Sequence, residues 1–288
     1  MQGTVDGFSY GIVTPLVAYL MACLGGALGL RCTTRSMLVA RSRRPAWLAL
    51  GSAAIGSGIW TMHFIAMMGF TVDETPIHYD KPITFASLAL AIVMVGIGIF
   101  IVGSRGARGT ALFTGGTITG LGIASMHYLG MAGMRLDGRL EYNTLTVAAS
   151  VGIAMLAATA ALWAAGQVRG VLWSVGASLI MGLAACGMHY IGMAALSVHL
   201  HGAEGGATVG DSPASLLAPM LVGPLAFLLL AGAVMLFGSK GVVGQPEEPT
   251  AEEKPGVPAH ATVPRRLRHP APTARRPVHR AARTPQNH

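Results

Sequence analysis

Apolar residues along this chain are gathered into long runs, with charges crowded into the gaps between them. The runs cover residues 8–30, 46–70, 83–103, 110–134, 144–165, 171–197 and 214–237. Each is about 20 residues or more, enough for a helix to cross ~30 Å of hydrocarbon. Ala, Leu, Gly and Met dominate them, and none shows the ten-residue alternation of a membrane β-barrel. The pattern predicts an all-α polytopic membrane protein with seven transmembrane helices.

The charges between the runs give an orientation. Arg31, Arg35, Arg41, Arg43 and Arg44 follow the first run, Arg105 and Arg108 the third, and Arg169 the fifth. The gaps after the second, fourth and sixth hold only Lys81, Arg135 and Arg139, beside Asp73, Glu74, Asp80, Asp137, Glu141, Glu204 and Asp211. By the positive-inside rule the N-terminus lies outside and the C-terminus in the cytoplasm, as in a multi-pass protein of the cell inner membrane. The first run is too long for a signal-peptide core and lacks a preceding basic stretch, so no cleaved leader is expected. The formal net charge of +8 then reports topology and membrane lipid contact, and implies no nucleic acid.

One phrase recurs at the outer ends of the second, fourth and sixth spans. It reads Thr61-Met62-His63-Phe64-Ile65-Ala66-Met67, then Ser125-Met126-His127-Tyr128-Leu129-Gly130-Met131, then Gly187-Met188-His189-Tyr190-Ile191-Gly192-Met193. The spacing is that of an internal repeat, so the first six spans form three helix pairs and the seventh is one further helix. Packed about a pseudo-threefold axis, the three pairs would bring His63, His127 and His189 together. Glycines at Gly25, Gly29, Gly51, Gly58, Gly116 and Gly120 leave room for helices to approach closely.

An imidazole and a thioether four residues apart share a helix face, so His63 with Met67, His127 with Met131 and His189 with Met193 can address one point. Cys186, three residues before His189, adds a thiolate that the other copies lack. Thioethers favour copper(I) and imidazole binds both copper states, whereas zinc sites rarely use methionine. The phrases hold no Asp or Glu, which disfavours hard cations. Haem held by two histidines is the rival cofactor. Against any metal stands the plainer reading of methionine as core filler, but an ionisable residue repeated three times within spans marks a functional site. Tyr128 and Tyr190 either orient imidazoles through their hydroxyls or anchor the interface.

These residues resemble the MHYT domain of bacterial integral-membrane sensors, in a stand-alone form covering residues 8–237. The resemblance implies a copper site near the outer face that senses oxygen, carbon monoxide or nitric oxide, with Met62, His63, Met67, Met126, His127, Met131, Met188, His189 and Met193 as candidate ligands. Two departures stand out: Phe64 replaces the tyrosine in the first copy, and Ile65, Leu129 and Ile191 replace a threonine.

Residues 238–288, rich in Pro and Arg, lack the apolar periodicity of a core and are expected to form a disordered cytoplasmic tail. Any output would then pass to a separate cytoplasmic signalling protein. A Ser/His/Asp arrangement, paired carboxylates within spans and HExxH are all missing from the sequence, so an enzyme is not expected. The alternative to a sensor is a copper transporter or copper-handling membrane protein.

Overall fold

The helices start and stop at local signals in the chain. The computed structural model describes residues 3–167, 170–200 and 213–237. They form α1 (Val13–Leu38), α2 (Arg44–Met68), α3 (Lys81–Arg105), α4 (Gly109–Ala132), α5 (Thr144–Gln167), α6 (Val171–Ala194) and α7 (Pro213–Phe237). Proline near the N-terminus opens α2 and α3, where its missing N–H costs nothing. Asp80 caps α3 by accepting from the Ile83 N–H at 3.1 Å. Gly106, at φ +90°, stops that helix in a conformation glycine tolerates.

Among the described residues, six helices are long and apolar enough to cross a membrane. α4 has similar length, but its glycines and threonines dilute its hydropathy. The architecture is an all-α bundle of multi-pass membrane type.

One boundary differs from expectation at the basic end. α1 begins at Val13 and runs on through Arg31 and Arg35 to Leu38, because basic side chains suit the last turns of a helix and extend toward water. Arg35 also lies 5.7 Å over the Trp47 ring.

Helices α1 to α6 pack in sequence as a closed ring, α6 returning to α1, while α7 lies along α2. Enclosed by α1, α3 and α7, α2 buries every residue from Ala54 to Met67. The α1–α2 contact is very close: a β-carbon on Gly25 or Gly58 would stand 2.6 Å from the other's Cα. Small residues thus let backbones touch where lipid offers no hydrophobic driving force.

Antiparallel ladders at one end were not foreseen. β1 (Val5–Asp6) pairs with β2 (Thr71–Val72), β3 (His78–Tyr79) with β4 (Met134–Arg135), and β5 (Gly138–Tyr142) with β6 (Leu196–Leu200). The order strand, two helices, strand therefore occurs three times. Spans expected to reach 134 and 197 end at Ala132 and Ala194 instead, since Met134, Leu196 and Ser197 lie in strands. In β6, Val198 and Leu200 are buried and His199 is exposed, the two-residue alternation of a half-buried strand.

The ladders and the Met-His phrases share one end of the ring, with Asp73, Glu74, Asp80, Asp137 and Glu141. Arg41, Arg43, Arg44, Arg105 and Arg108 mark the other end.

Candidate metal centre

His63 on α2, His127 on α4 and His189 on α6 each stand five residues before the end of their helix. Those helices also stop alike. The N–H groups of Gly69, Gly133 and Ala195 each turn back onto carbonyls of the preceding turn, such as Ala66, Gly130 and Gly192. Identical register on alternate helices of the ring brings the three imidazoles to its centre, each only 1% exposed.

The Nδ1 atoms form a triangle. His63 to His189 is 3.0 Å, His63 to His127 is 3.2 Å and His127 to His189 is 3.3 Å. The rings meet edge to face, with centroids 4.8–5.1 Å apart. The Nε2 atoms of His63 and His127 point outward, buried and without a hydrogen-bond partner among the described residues.

This triangle cannot be satisfied by protons. Each Nδ1 either carries hydrogen or presents a lone pair, so with three members at least one edge must set like against like. A cation among three inward lone pairs removes the conflict. The distances fit one: nitrogens ~2.0 Å from a tetrahedral ion are about 3.3 Å apart. Among the described His, Cys, Asp and Glu side chains, these three histidines alone form such a group, and no carboxylate joins them.

Of the other candidate ligands, Met62, Met126, Met188, Met67 and Met131 are buried to 1% exposure or less. Met193 is half-buried and packs against the same core. A cleft of about 260 Å³ reaches the cluster, lined by His189, Met67, Met193, Ala66, Tyr190 and Phe8. Met188 instead lines a separate central cavity. Cys186, 8% exposed, packs in the core and is not among the ligand atoms gathered with the histidines.

The tyrosine hydroxyl of the second copy serves another partner. Tyr128 pairs with Ser150 at 2.7 Å, and its ring meets the edge of His127 with centroids 4.8 Å apart. The Tyr190 ring meets His189 in the same way and stacks on Phe8 at 5.7 Å. Phe64 repeats the contact on His63 at 4.6 Å. All three copies thus share an aromatic wall, which explains why phenylalanine serves in the first.

Sequence reasoning missed the residue three positions after each histidine. A β-carbon on Gly130 would stand 2.7 Å from His63 Nε2, and one on Gly192 would stand 2.6 Å from His127 Nε2. The His63 and His127 imidazoles are therefore each seated on the glycine of the following copy. The corresponding Ala66 of the first copy borders the cleft with His189. The Gly, Gly, Ala series was visible, but its meaning needed the order of helices around the ring. His78 and His199 lie in strands outside the cluster, His199 within 3.4 Å of Glu141.

Comparison with known proteins agrees with this architecture. The family model MHYT, described as bacterial signalling protein N terminal repeat, matches residues 56–115 and 120–178. The bifunctional diguanylate cyclase/cyclic di-GMP phosphodiesterase MucR of Pseudomonas aeruginosa is 35% identical over 237 residues, covering 81% of this chain and 34% of the relative. The cyclic di-GMP phosphodiesterase NbdA of the same species is 34% identical over 206 residues, covering 68% and 26%. The signaling protein YkoW of Bacillus subtilis is 27% identical over 197 residues, covering 66% and 24%. The chain spans about a third or less of the length of these relatives. No solved structure matches it.

Proposed function

Since the chain belongs to the MHYT family of bacterial membrane sensor domains, we propose that it senses a diatomic gas or redox state through one copper ion held by His63, His127 and His189. The match is to a signalling repeat and not to a catalytic module, and the buried tri-histidine cluster can coordinate a metal ion. The observation that carries the reading is the Nδ1 triangle, which protons cannot satisfy. Softness supports copper: the donors are imidazoles, the surrounding core is rich in thioethers, and no carboxylate joins them. Copper there would supply one-electron chemistry and an open position for oxygen, carbon monoxide or nitric oxide. The protein's own residues seat and bury the imidazoles, and the cleft beside His189 offers an approach to them.

In this reading residues 8–237 form a seven-span inner-membrane domain of three helix pairs plus one. Its N-terminus is outside, and a cytoplasmic tail, residues 238–288, falls outside the described residues. The basic end of the ring supports that orientation. A change in packing of α2, α4 and α6 would pass to a separate partner.

A copper-conducting role is the second reading, favoured by the central cavity that starts at Met188 and contains Met181 and Met37. Arg44 and Arg108 at its far end oppose it, since two guanidinium groups repel a cation.

Metal analysis of the purified protein tests the centre. About one copper per chain is expected, and none after joint substitution of His63, His127 and His189 by alanine. Copper unchanged in that variant overturns the site, a haem Soret band replaces copper with haem, and net copper uptake into vesicles overturns sensing in favour of transport.

A further inference from the structure

The ring of helices is not filled along its axis. Between the histidines and the arginine-rich end runs a cavity of about 330 Å³, within the size range of small-molecule sites. It is bordered by α2 from Arg44 to Ile59, a helical length of roughly 22 Å. Its inner end is Met188, and its walls include Ala158 and Ala185. Small residues usually bring membrane helices into contact; here a run of alanines on α5 and α6 leaves space instead.

The far end is of different character. Arg44, first residue of α2, and Arg108, just before α4, both border the cavity there. Arg44 donates one guanidinium N–H to the Gly103 carbonyl at 2.7 Å, while its Nε is buried without a partner among the described residues. Among the described residues no carboxylate pairs with either arginine. Thr119, only 4% exposed, also borders the cavity, its hydroxyl without a partner among the described residues.

A long, mostly apolar space with Met188 at one end and guanidinium groups that lack a carboxylate partner among the described residues at the other selects for one chemistry. We infer that this cavity binds a single-chain anionic amphiphile, its acyl tail along the ring axis and its carboxylate or phosphate head against Arg44 and Arg108. The arginines lie at the membrane end where anionic head groups are drawn to basic residues, and planar guanidinium groups match an oxyanion. The tail would end against Met188, next to His189. A free fatty acid and a membrane lysophospholipid both offer this head and tail. The inference is independent of whether the histidines hold copper.

The test titrates full-length protein in phosphatidylcholine nanodiscs with radiolabelled palmitate, subtracting uptake by empty discs. About one equivalent should bind saturably, and hexadecanol, with the same chain and no charge, should bind about tenfold more weakly. Arg44→Gln with Arg108→Gln should weaken palmitate about tenfold and leave hexadecanol unchanged. Ala158→Phe, which fills the middle of the cavity, should abolish both while keeping helical circular dichroism and a monodisperse gel-filtration peak. If that variant does not fold, the arginine pair decides alone. Competition by palmitoyl-lysophosphatidylglycerol added to the discs assigns the site to lipid, and persistence of palmitate assigns it to the free acid. Saturable palmitate binding that is missing, or that survives loss of both arginines undiminished, overturns the proposal.

Discussion

Gly130 forms the seat of the His63 imidazole, so close that a β-carbon there would stand 2.7 Å from Nε2. The relation repeats between Gly192 and His127 at 2.6 Å, whereas Ala66 borders a cleft beside His189. An added methyl must therefore push the ring away in two copies and is already accommodated in the third. Gly130→Ala and Gly192→Ala should each destabilise the protein by about 1–3 kcal/mol, as overpacking does, and lower its copper content. Ala66→Gly should leave copper content near the parent's. Thermal unfolding and metal analysis of the three variants check this ordering.

That asymmetry also shows what the sequence could convey. Seven apolar runs and three evenly spaced phrases were enough to foresee an all-α membrane bundle and the gathering of His63, His127 and His189. The strands were hidden because two of the three ladders pair only two residues on each side, too short for any alternation to register. The role of Tyr128 was hidden for another reason. Its partner Ser150 is on α5, and nothing in the phrase itself points to a neighbouring helix.

Tyr128→Phe separates the ring from the hydroxyl. The hydroxyl bonds Ser150 at 2.7 Å and the ring edge faces His127, so the substitution should cost about 0.5–1.5 kcal/mol for the lost hydrogen bond and leave copper content unchanged. Phe64, which has no hydroxyl, already fills this place beside His63. Tyr128→Ala, which removes the aromatic wall as well, should lower both stability and copper content. Denaturation and metal analysis together check the split.

Acid should release the N-terminal strand. Both oxygens of Glu74 accept from the Thr4 N–H at 3.0 Å, and hydrogen bonding from Thr4, its side chain first and then its N–H, holds the carboxyl below its ordinary value. A carboxyl depressed on folding contributes stability above its unfolded pKa, about 4.3 for glutamate, and loses it as pH falls through the folded value. The Thr4 amide of the parent should therefore be protected at neutral pH and lose that protection as pH falls through the depressed carboxyl value. At neutral pH the Glu74→Gln variant should exchange faster than the parent, and the two should converge once pH falls below the depressed carboxyl value. Hydrogen exchange read by mass spectrometry on the peptide containing Thr4 measures both.

The frustrated triangle predicts how the protein responds to losing metal. With Nδ1 atoms 3.0–3.3 Å apart at the centre of the ring, the apo state retains at least one edge of like facing like. A bound cation removes that conflict and adds binding energy to the folded state: at a free concentration 100 times Kd the gain is about 2.7 kcal/mol. For a domain of this size that corresponds to a thermal shift of about 5–10 °C. Chelation should lower the unfolding temperature of the parent by that amount and leave unmoved a variant with His63, His127 and His189 changed to leucine. That variant should also be as stable as the apo parent or more so, because apolar groups of similar size replace buried polar atoms that have no complete set of partners. A purely structural triad gives the opposite pair of results: no response to chelation in the parent, and a large loss of stability in the leucine variant. Differential scanning measurements on both proteins, with and without chelator, distinguish the two.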